Sequence, residues 1–365
     1  MSSEPAAFSR EGHSDTHNAD YKDNVLRIAI IGAGTIGLSF AGLHLSHPAN
    51  RDGGRKVEIR IYDPRPGLRD YVERTLPGYL SPSPPENMIL QTSSSDSNTT
   101  ERISLPPPLS SHTLILSTSL ADAVSAANIV QEQGPESVST KQSLWSEIES
   151  LAPPTALFWS STSGIPASVQ SQGMKNPRRL IVVHPYNPPH IMPLLELVPA
   201  PGTDLDSPGS DVQRTLDYWR RLGREPVVLK EEVSGFVANR LAFALLREGV
   251  ELVNRGVATP EEIDRVVEQS MGPRWAVRGP FWSYHAGGGE GGLRGILGNI
   301  GDTIQRCWDD AGKPDLKREG RGSEWVGRLC EDVERSYGKL GQEELKERDE
   351  KTRRVLDVTR EGRTL

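Results

Sequence analysis

Two residue classes are scarce in this chain of 365 residues: thiols and unpaired positive charge. Its two cysteines, Cys307 and Cys330, lie far apart in the C-terminal part. They fit neither a metal-ligand spacing nor a disulfide framework, so a reducing, cytoplasmic setting is the expectation. With 42 Lys and Arg against 49 Asp and Glu, the net charge is −7. That balance excludes the phosphate-neutralising surface a nucleic-acid binder needs. No apolar run approaches the ~18 residues of a membrane span. The first 23 residues are polar and lack the apolar core of a signal peptide; residues 1–23 read as a disordered leader.

The first informative stretch follows directly. Leu26 to Ile31 is a β-branched run that leads into Gly32-Ala33-Gly34-Thr35-Ile36-Gly37 and then a helical pattern through Leu38, Ala41, Leu43 and Leu45. This glycine fingerprint therefore has the strand before it and the helix after it that a dinucleotide site requires. Gly32 serves the tight turn, Gly34 lets backbone approach a pyrophosphate, and Gly37 allows close helix packing. Thr35 and Ile36 stand at the helix N-terminus where phosphates bind.

The next strand, Lys56 to Tyr62, alternates apolar and polar residues and ends in Asp63. An acid there accepts hydrogen bonds from the adenosine ribose and repels a 2′-phosphate, which points to NAD. It comes 26 residues after Gly37, against the usual ~20, and the polar loop Ser46 to Arg55 absorbs the surplus. Arg65, two residues on, pulls slightly the other way.

From Pro64 to His112 the composition shifts to Ser, Pro, Thr and Asn, without a lysine. Too few apolar residues occur here to offset chain ordering, so the insertion at about 80–112 is expected to be mostly a mobile surface excursion. Regular structure resumes at Thr113 to Leu116 and Ala127 to Glu132, with a helix over Lys141 to Leu151 and strands at Ala156 to Ser163 and Leu180 to Val183. A helix over Asp211 to Leu222 and a strand at Pro226 to Leu229 close the series. Strands alternating with helices predict an α/β fold with a parallel, doubly wound sheet. Its ligand-facing residues belong at the strands' C-terminal ends, where Asp63, Ser163 and His184 fall.

After residue 232 the pattern is helical only. Ser234 is the expected cap of a helix from Phe236 to about Arg255, Thr259-Pro260-Glu261-Glu262 has the order of a capping box, and further helices are expected over 291–310, 324–339 and 343–358. The domains are thus 24–232, Rossmann-type and NAD-binding, and 233–365, all-helical.

The candidate chemistry lies between Val183 and Pro199. His184 and Glu196 are twelve positions apart, each set among apolar residues, with prolines and Asn187 shaping the path between them. A histidine accepts an alcohol proton near neutral pH, and a partly buried carboxylate holds its ring in one tautomer. The alternative is a plain strand end with a solvated glutamate. His44 and His47, three apart on the first helix, are read as surface residues, with no metal implied.

Together these residues resemble the 3-hydroxyacyl-CoA dehydrogenase superfamily, and within it the L-gulonate 3-dehydrogenase (lambda-crystallin) and carnitine 3-dehydrogenase branches. The matching text is Gly32 to Gly37, Ser160 to Ser163, His184 to Pro199, Ser234 to Leu241 and Gly272 to Phe281, within roughly residues 25–300. The resemblance implies that His184 is the general base for a 3-hydroxyl, that Glu196 orients it, and that Ser163 and Asn239 hold the substrate oxygen. Glu136 and Lys141 match positions near the nicotinamide ribose. A helical domain that usually forms a homodimer is also implied.

Acyl-CoA relatives carry a lysine-rich helix pair where this chain has its lysine-free insertion, which ranks a small free 3-hydroxy acid, L-gulonate-like, above a coenzyme A ester. His184 to Pro189 and Leu195 to Pro199 read like the gulonate branch; Gly272 to Trp275 and Tyr284 to Glu290 read like the carnitine branch. There Trp275, Trp282 and Tyr284 offer either an aromatic surface for a quaternary ammonium or ordinary packing. Arg274 or Arg278 offers either a bidentate partner for a carboxylate or a surface ion pair. An NAD-binding structural protein without turnover is the reading from another class.

Overall fold

The computed structural model describes residues 25–51, 55–80, 92–93, 101–316 and 324–360. The expected leader lies outside them. The chain divides into two compact units, one ending at Phe236 and one beginning at Val237.

The first unit is built on β1 (Val25–Ile31), α1 (Thr35–Ser46), α2 (Pro48–Arg51), β2 (Lys56–Tyr62), α3 (Leu68–Thr75), β3 (Thr92–Ser93), β4 (Glu101–Ile103) and β5 (Thr113–Leu116). It continues through α4 (Leu120–Val124), β6 (Ile129–Glu132), α5 (Val138–Leu151), β7 (Leu157–Ser160), α6 (Ala167–Gln170), β8 (Leu180–Pro185), β9 (Leu194–Pro199), α7 (Asp211–Arg221) and β10 (Glu225–Val228). The described strands form one sheet in the order β10-β9-β8-β7-β6-β1-β2-β5-β4-β3. The six from β5 to β8 run parallel, and both faces are covered. Ile28 and Ile30 of β1 pack on one face with Leu38 and Phe40 of α1, while Ala29 and Ile31 pack on the other with Trp145 and Ile148 of α5. That two-sided burial is what near-continuous β-branched runs such as Ile28 to Ile31 are suited to.

Two parts depart from expectation. The described end of the insertion is not a surface excursion: β4 pairs antiparallel with β5, and Ile103, Leu105 and Leu109 are buried in the core. Three well-spaced apolar residues suffice to anchor a proline-rich segment along a sheet edge. The second departure is β9. It pairs antiparallel with β8, and a strand buried on both faces lacks the alternation that marks one in sequence.

His44 is a correction. Far from lying on the surface, it is fully buried, its Nε2 bonded to Gln131 Oε1 at 2.9 Å and its Nδ1 to the Tyr218 hydroxyl at 2.7 Å. Both ring nitrogens are used, so neither is left for a metal. The ring packs beside Trp219, which in turn packs against Trp159, tying α1 and α7 to β7.

The second unit contains α8 (Ala238–Asn254), α9 (Pro260–Gln269), α10 (Met271–Val277), α11 (Pro280–Gly287), α12 (Gly292–Asp310), α13 (Glu324–Tyr337) and α14 (Gln342–Arg360). Thr259 and Glu262 form the expected capping box. Ser234 does not cap α8, which starts later, at Ala238, because Phe236 adopts a left-handed φ of 54° that no helix accommodates. Among the large apolar side chains described in this unit, Val250 alone is buried.

Two outcomes follow for the first unit. A Cβ on Gly37 would lie 2.0 Å from the Gly32 carbonyl oxygen, whereas one on Gly34 meets nothing within 4 Å. Gly37→Ala should therefore destabilise the fold by about 3 kcal/mol or more, while Gly34→Ala leaves the melting temperature unchanged; equal melting temperatures would refute the clash. Burial, against the smaller opposing effect of the Gln131 hydrogen bond, lowers the pKa of His44 from 6.5 to about 4. The unfolded chain takes up this proton near 6.5 and the fold only near 4. The stability is thus whole above 6.5 and lost as pH falls toward 4. Thermal melts between pH 7 and 4.5 should show a shallower decline for His44→Gln than for the wild type.

Candidate active site

The antiparallel register of β8 and β9 sets His184 directly opposite Glu196. Their side chains meet, Nδ1 to Oε2, at 2.8 Å, with His184 6% and Glu196 2% exposed. A carboxylate accepts only, so Nδ1 carries the hydrogen and donates, which leaves the Nε2 lone pair to take a proton. The imidazole also lies against the Phe236 ring, centroids 5.2 Å apart. Phe236 was visible in the sequence only as an expected helix start. The loop joining the two strands is tied to α1, where Ser39 Oγ accepts from the His190 backbone N–H at 3.0 Å and pairs with its Nδ1 at 2.9 Å.

A second cluster occupies the C-terminal ends of β6 and β7, strands that lie in series with β8. Glu132, fully buried, receives Lys141 Nζ on both oxygens at 2.7 and 3.0 Å, the Ser160 hydroxyl at 2.9 Å and the Gly134 N–H at 2.7 Å. Four hydrogen bonds from three donor groups satisfy a charge that burial would otherwise make costly. Lys141 also lies 3.7 Å from Glu136. Glu136 Oε1 in turn accepts from the Thr162 hydroxyl and from the Ser163 backbone N–H at 3.1 Å. The structure thus brings together Glu136, Lys141 and Ser163. The sequence reading missed Glu132 and Thr162; acidic and hydroxyl residues at strand ends were the available signal.

The third part is the dinucleotide end. Gly32 adopts φ +100° and Gly37 packs against its carbonyl. Gly34, the N-cap of α1, supplies no capping side chain, so the first-turn N–H groups, near Thr35 and Ile36, receive no acceptor from the N-cap residue. Open space at Gly34 and uncapped donors fit a pyrophosphate. Asp63 follows β2 and accepts the Ala33 N–H at 2.7 Å. Its burial favours the neutral form, but hydrogen bonds from the Arg65 guanidinium and from the Ala33 and Arg65 backbones outweigh this and lower its pKa, keeping the carboxylate charged. These residues fit NAD, with Asp63 placed for the adenosine ribose.

The remaining predicted residues belong to the second unit. Asn239 is the second residue of α8, while Arg274 and Trp275 lie on α10. Trp275, Trp282 and Tyr284 are exposed rather than packed in a core, and the Arg278 guanidinium lies 5.6 Å from the Trp282 ring centroid.

The chain is similar to several known proteins. Residues 83–232 match the 3-hydroxyacyl-CoA dehydrogenase NAD binding domain, and residues 235–318 match the 3-hydroxyacyl-CoA dehydrogenase C-terminal domain. L-carnitine dehydrogenase of Oceanobacillus iheyensis is 32% identical over 293 residues, covering 80% of this chain and 86% of that protein. A 3-hydroxyacyl-CoA dehydrogenase of Gibberella moniliformis is 33% identical over 327 residues, 88% of this chain and 91% of the relative. Among solved structures, 5-formyl-3-hydroxy-2-methylpyridine 4-carboxylic acid 5-dehydrogenase, an NAD+ dependent dismutase, aligns with a TM-score of 0.62 at 26% identity, covering 93% of this chain and 100% of that one. The glycine turn, the sheet order and these matches over most of the chain lead to one conclusion: it belongs to the 3-hydroxyacyl-CoA dehydrogenase family and is an NAD-dependent oxidoreductase acting on CH–OH groups.

Proposed function

We propose that this chain oxidises the 3-hydroxyl of a small free 3-hydroxy acid of the carnitine type, with His184 as the general base. The observation that carries the mechanism is the 2.8 Å contact between His184 Nδ1 and Glu196. It leaves Nε2 to accept the hydroxyl proton as the carbon–oxygen bond becomes a carbonyl. NAD, when bound, supplies the hydride acceptor. As positive charge develops on the imidazole, the buried Glu196 carboxylate stabilises it, and the Phe236 ring restrains its orientation. Ser163 holds the substrate oxygen.

The carnitine type is favoured over the L-gulonate type by the relatives that bear the carnitine name. The gulonate resemblance rests on two short stretches around His184 and Glu196. A second reading, a 3-hydroxyacyl-CoA substrate, draws support from the Gibberella moniliformis relative.

NADH formation measured with L-carnitine, L-gulonate, 3-hydroxybutyrate and a 3-hydroxyacyl-CoA separates these readings. We expect the highest kcat/KM with L-carnitine; preference for the coenzyme A ester or for gulonate would overturn the substrate assignment. With the preferred substrate, His184→Ala should lower kcat by about 100-fold or more while leaving NADH affinity intact. Undiminished turnover would remove His184 from the mechanism.

We also propose a homodimer formed through the helical unit, supported by exposed Leu241 (63%), Phe281 (80%) and Trp308 (68%), which are too many large apolar side chains to leave in water. Sedimentation should give a mass near twice 40.1 kDa, and a monomer at micromolar concentration would contradict it.

A further inference from the structure

An acidic residue after the second strand of a dinucleotide fold excludes the 2′-phosphate of NADP by charge repulsion, whereas a nearby arginine accommodates it. This chain has both, and they are bound to each other. Arg65 Nη2 lies 3.0 Å from Asp63 Oδ2, and the Arg65 backbone N–H donates to Asp63 Oδ1 at 2.9 Å. The guanidinium rests over the Tyr71 ring of α3, 4.4 Å from its centroid. Its Nε is buried without a hydrogen-bond partner. The Arg65 side chain is 35% exposed against 9% for Asp63, so the cation stands on the outer side of the acid.

This geometry places a planar fork, pre-oriented by an aromatic platform, within hydrogen-bond distance of the group that receives the ribose hydroxyls. Arginine pairs with phosphate as readily as with carboxylate, and a side chain already held in place gives up little freedom when it changes partner. While Asp63 is charged, it both satisfies the fork and repels a second anion. Without that charge, the fork has no anionic partner at the end of β2 and is available to a phosphate.

We propose that Arg65 is a second determinant of nucleotide selectivity: Asp63 keeps its guanidinium engaged, and removing the Asp63 charge turns it into the anchor for the 2′-phosphate of NADPH. The proposal rests on the NAD-binding fold and not on which hydroxy acid the enzyme oxidises.

Titrations of NADH and NADPH, read by nucleotide fluorescence without substrate, test it. The wild type should bind NADH more tightly. Asp63→Asn, which removes the charge while keeping the oxygen that Ala33 and Arg65 share, should bind NADPH about tenfold tighter than the wild type does. Adding Arg65→Ala to that variant should abolish the gain. The proposal is overturned if Asp63→Asn leaves NADPH affinity unchanged, if the double variant keeps the gain, or if the wild type fails to prefer NADH. Should Asp63→Asn fail to fold, by circular dichroism, Asp63→Ser with and without Arg65→Ala decides. A gain in NADPH affinity that Arg65→Ala removes supports the role, and no gain, or one that survives Arg65→Ala, overturns it.

Discussion

The pairing of β8 with β9 is the constraint on which the candidate active site depends. In a parallel strand neighbour, Glu196 would approach His184 only through a long crossover; antiparallel pairing makes them direct cross-strand partners. Opposed side chains on one face lie close enough to interact, so register alone delivers the 2.8 Å contact. A slip of one residue would turn Glu196 to the opposite face of the sheet. The apolar residues flanking both groups, Val182, Val183, Leu195 and Leu197, are buried and hold that register.

Around this pair the strand ends carry buried polar clusters that are satisfied internally. The Glu132 carboxylate gathers an ammonium, a hydroxyl and a backbone N–H. Removing one partner of such a buried ion pair costs about 3–5 kcal/mol. The cluster therefore fixes Lys141 firmly, and through Lys141 and Glu136 it supports the turn holding Ser163. At the far side of the glycine turn, Asp63 and Arg65 form a similar but more exposed pair, where solvent screens the charges and exchange of partners is correspondingly easier. Rigid pairing near the reacting groups thus contrasts with a looser pair near the adenosine.

Much of this was legible before any coordinates. Period-2 alternation in Lys56 to Tyr62 gave β2, the glycine spacing gave the turn before α1, and Thr259 to Glu262 gave a capping box, because each depends on neighbours within a few residues. His184 and Glu196 stood out as titratable groups in apolar surroundings. Three features were misread or unseen for a common reason. His44 was taken for a surface residue because its partners, Gln131 and Tyr218, come from distant strands and helices. The described end of the insertion was taken for a loop because its anchoring residues, Ile103, Leu105 and Leu109, are few. Ser234 was taken for a cap because the left-handed turn at Phe236 has no signature in composition.

By itself, then, the amino-acid sequence determined the α/β class, the dinucleotide turn, the helical second half and the two titratable residues, His184 and Glu196, that the fold pairs. Local sterics and hydrophobic periodicity act over a few residues and leave marks in linear order. Only tertiary structure decided that β9 runs antiparallel to β8, that Lys141 pairs with Glu132, and that Arg65, paired with Asp63, lies over the Tyr71 ring. Those contacts arise from the packing of distant segments and the burial of charge, neither of which spacing along the chain records.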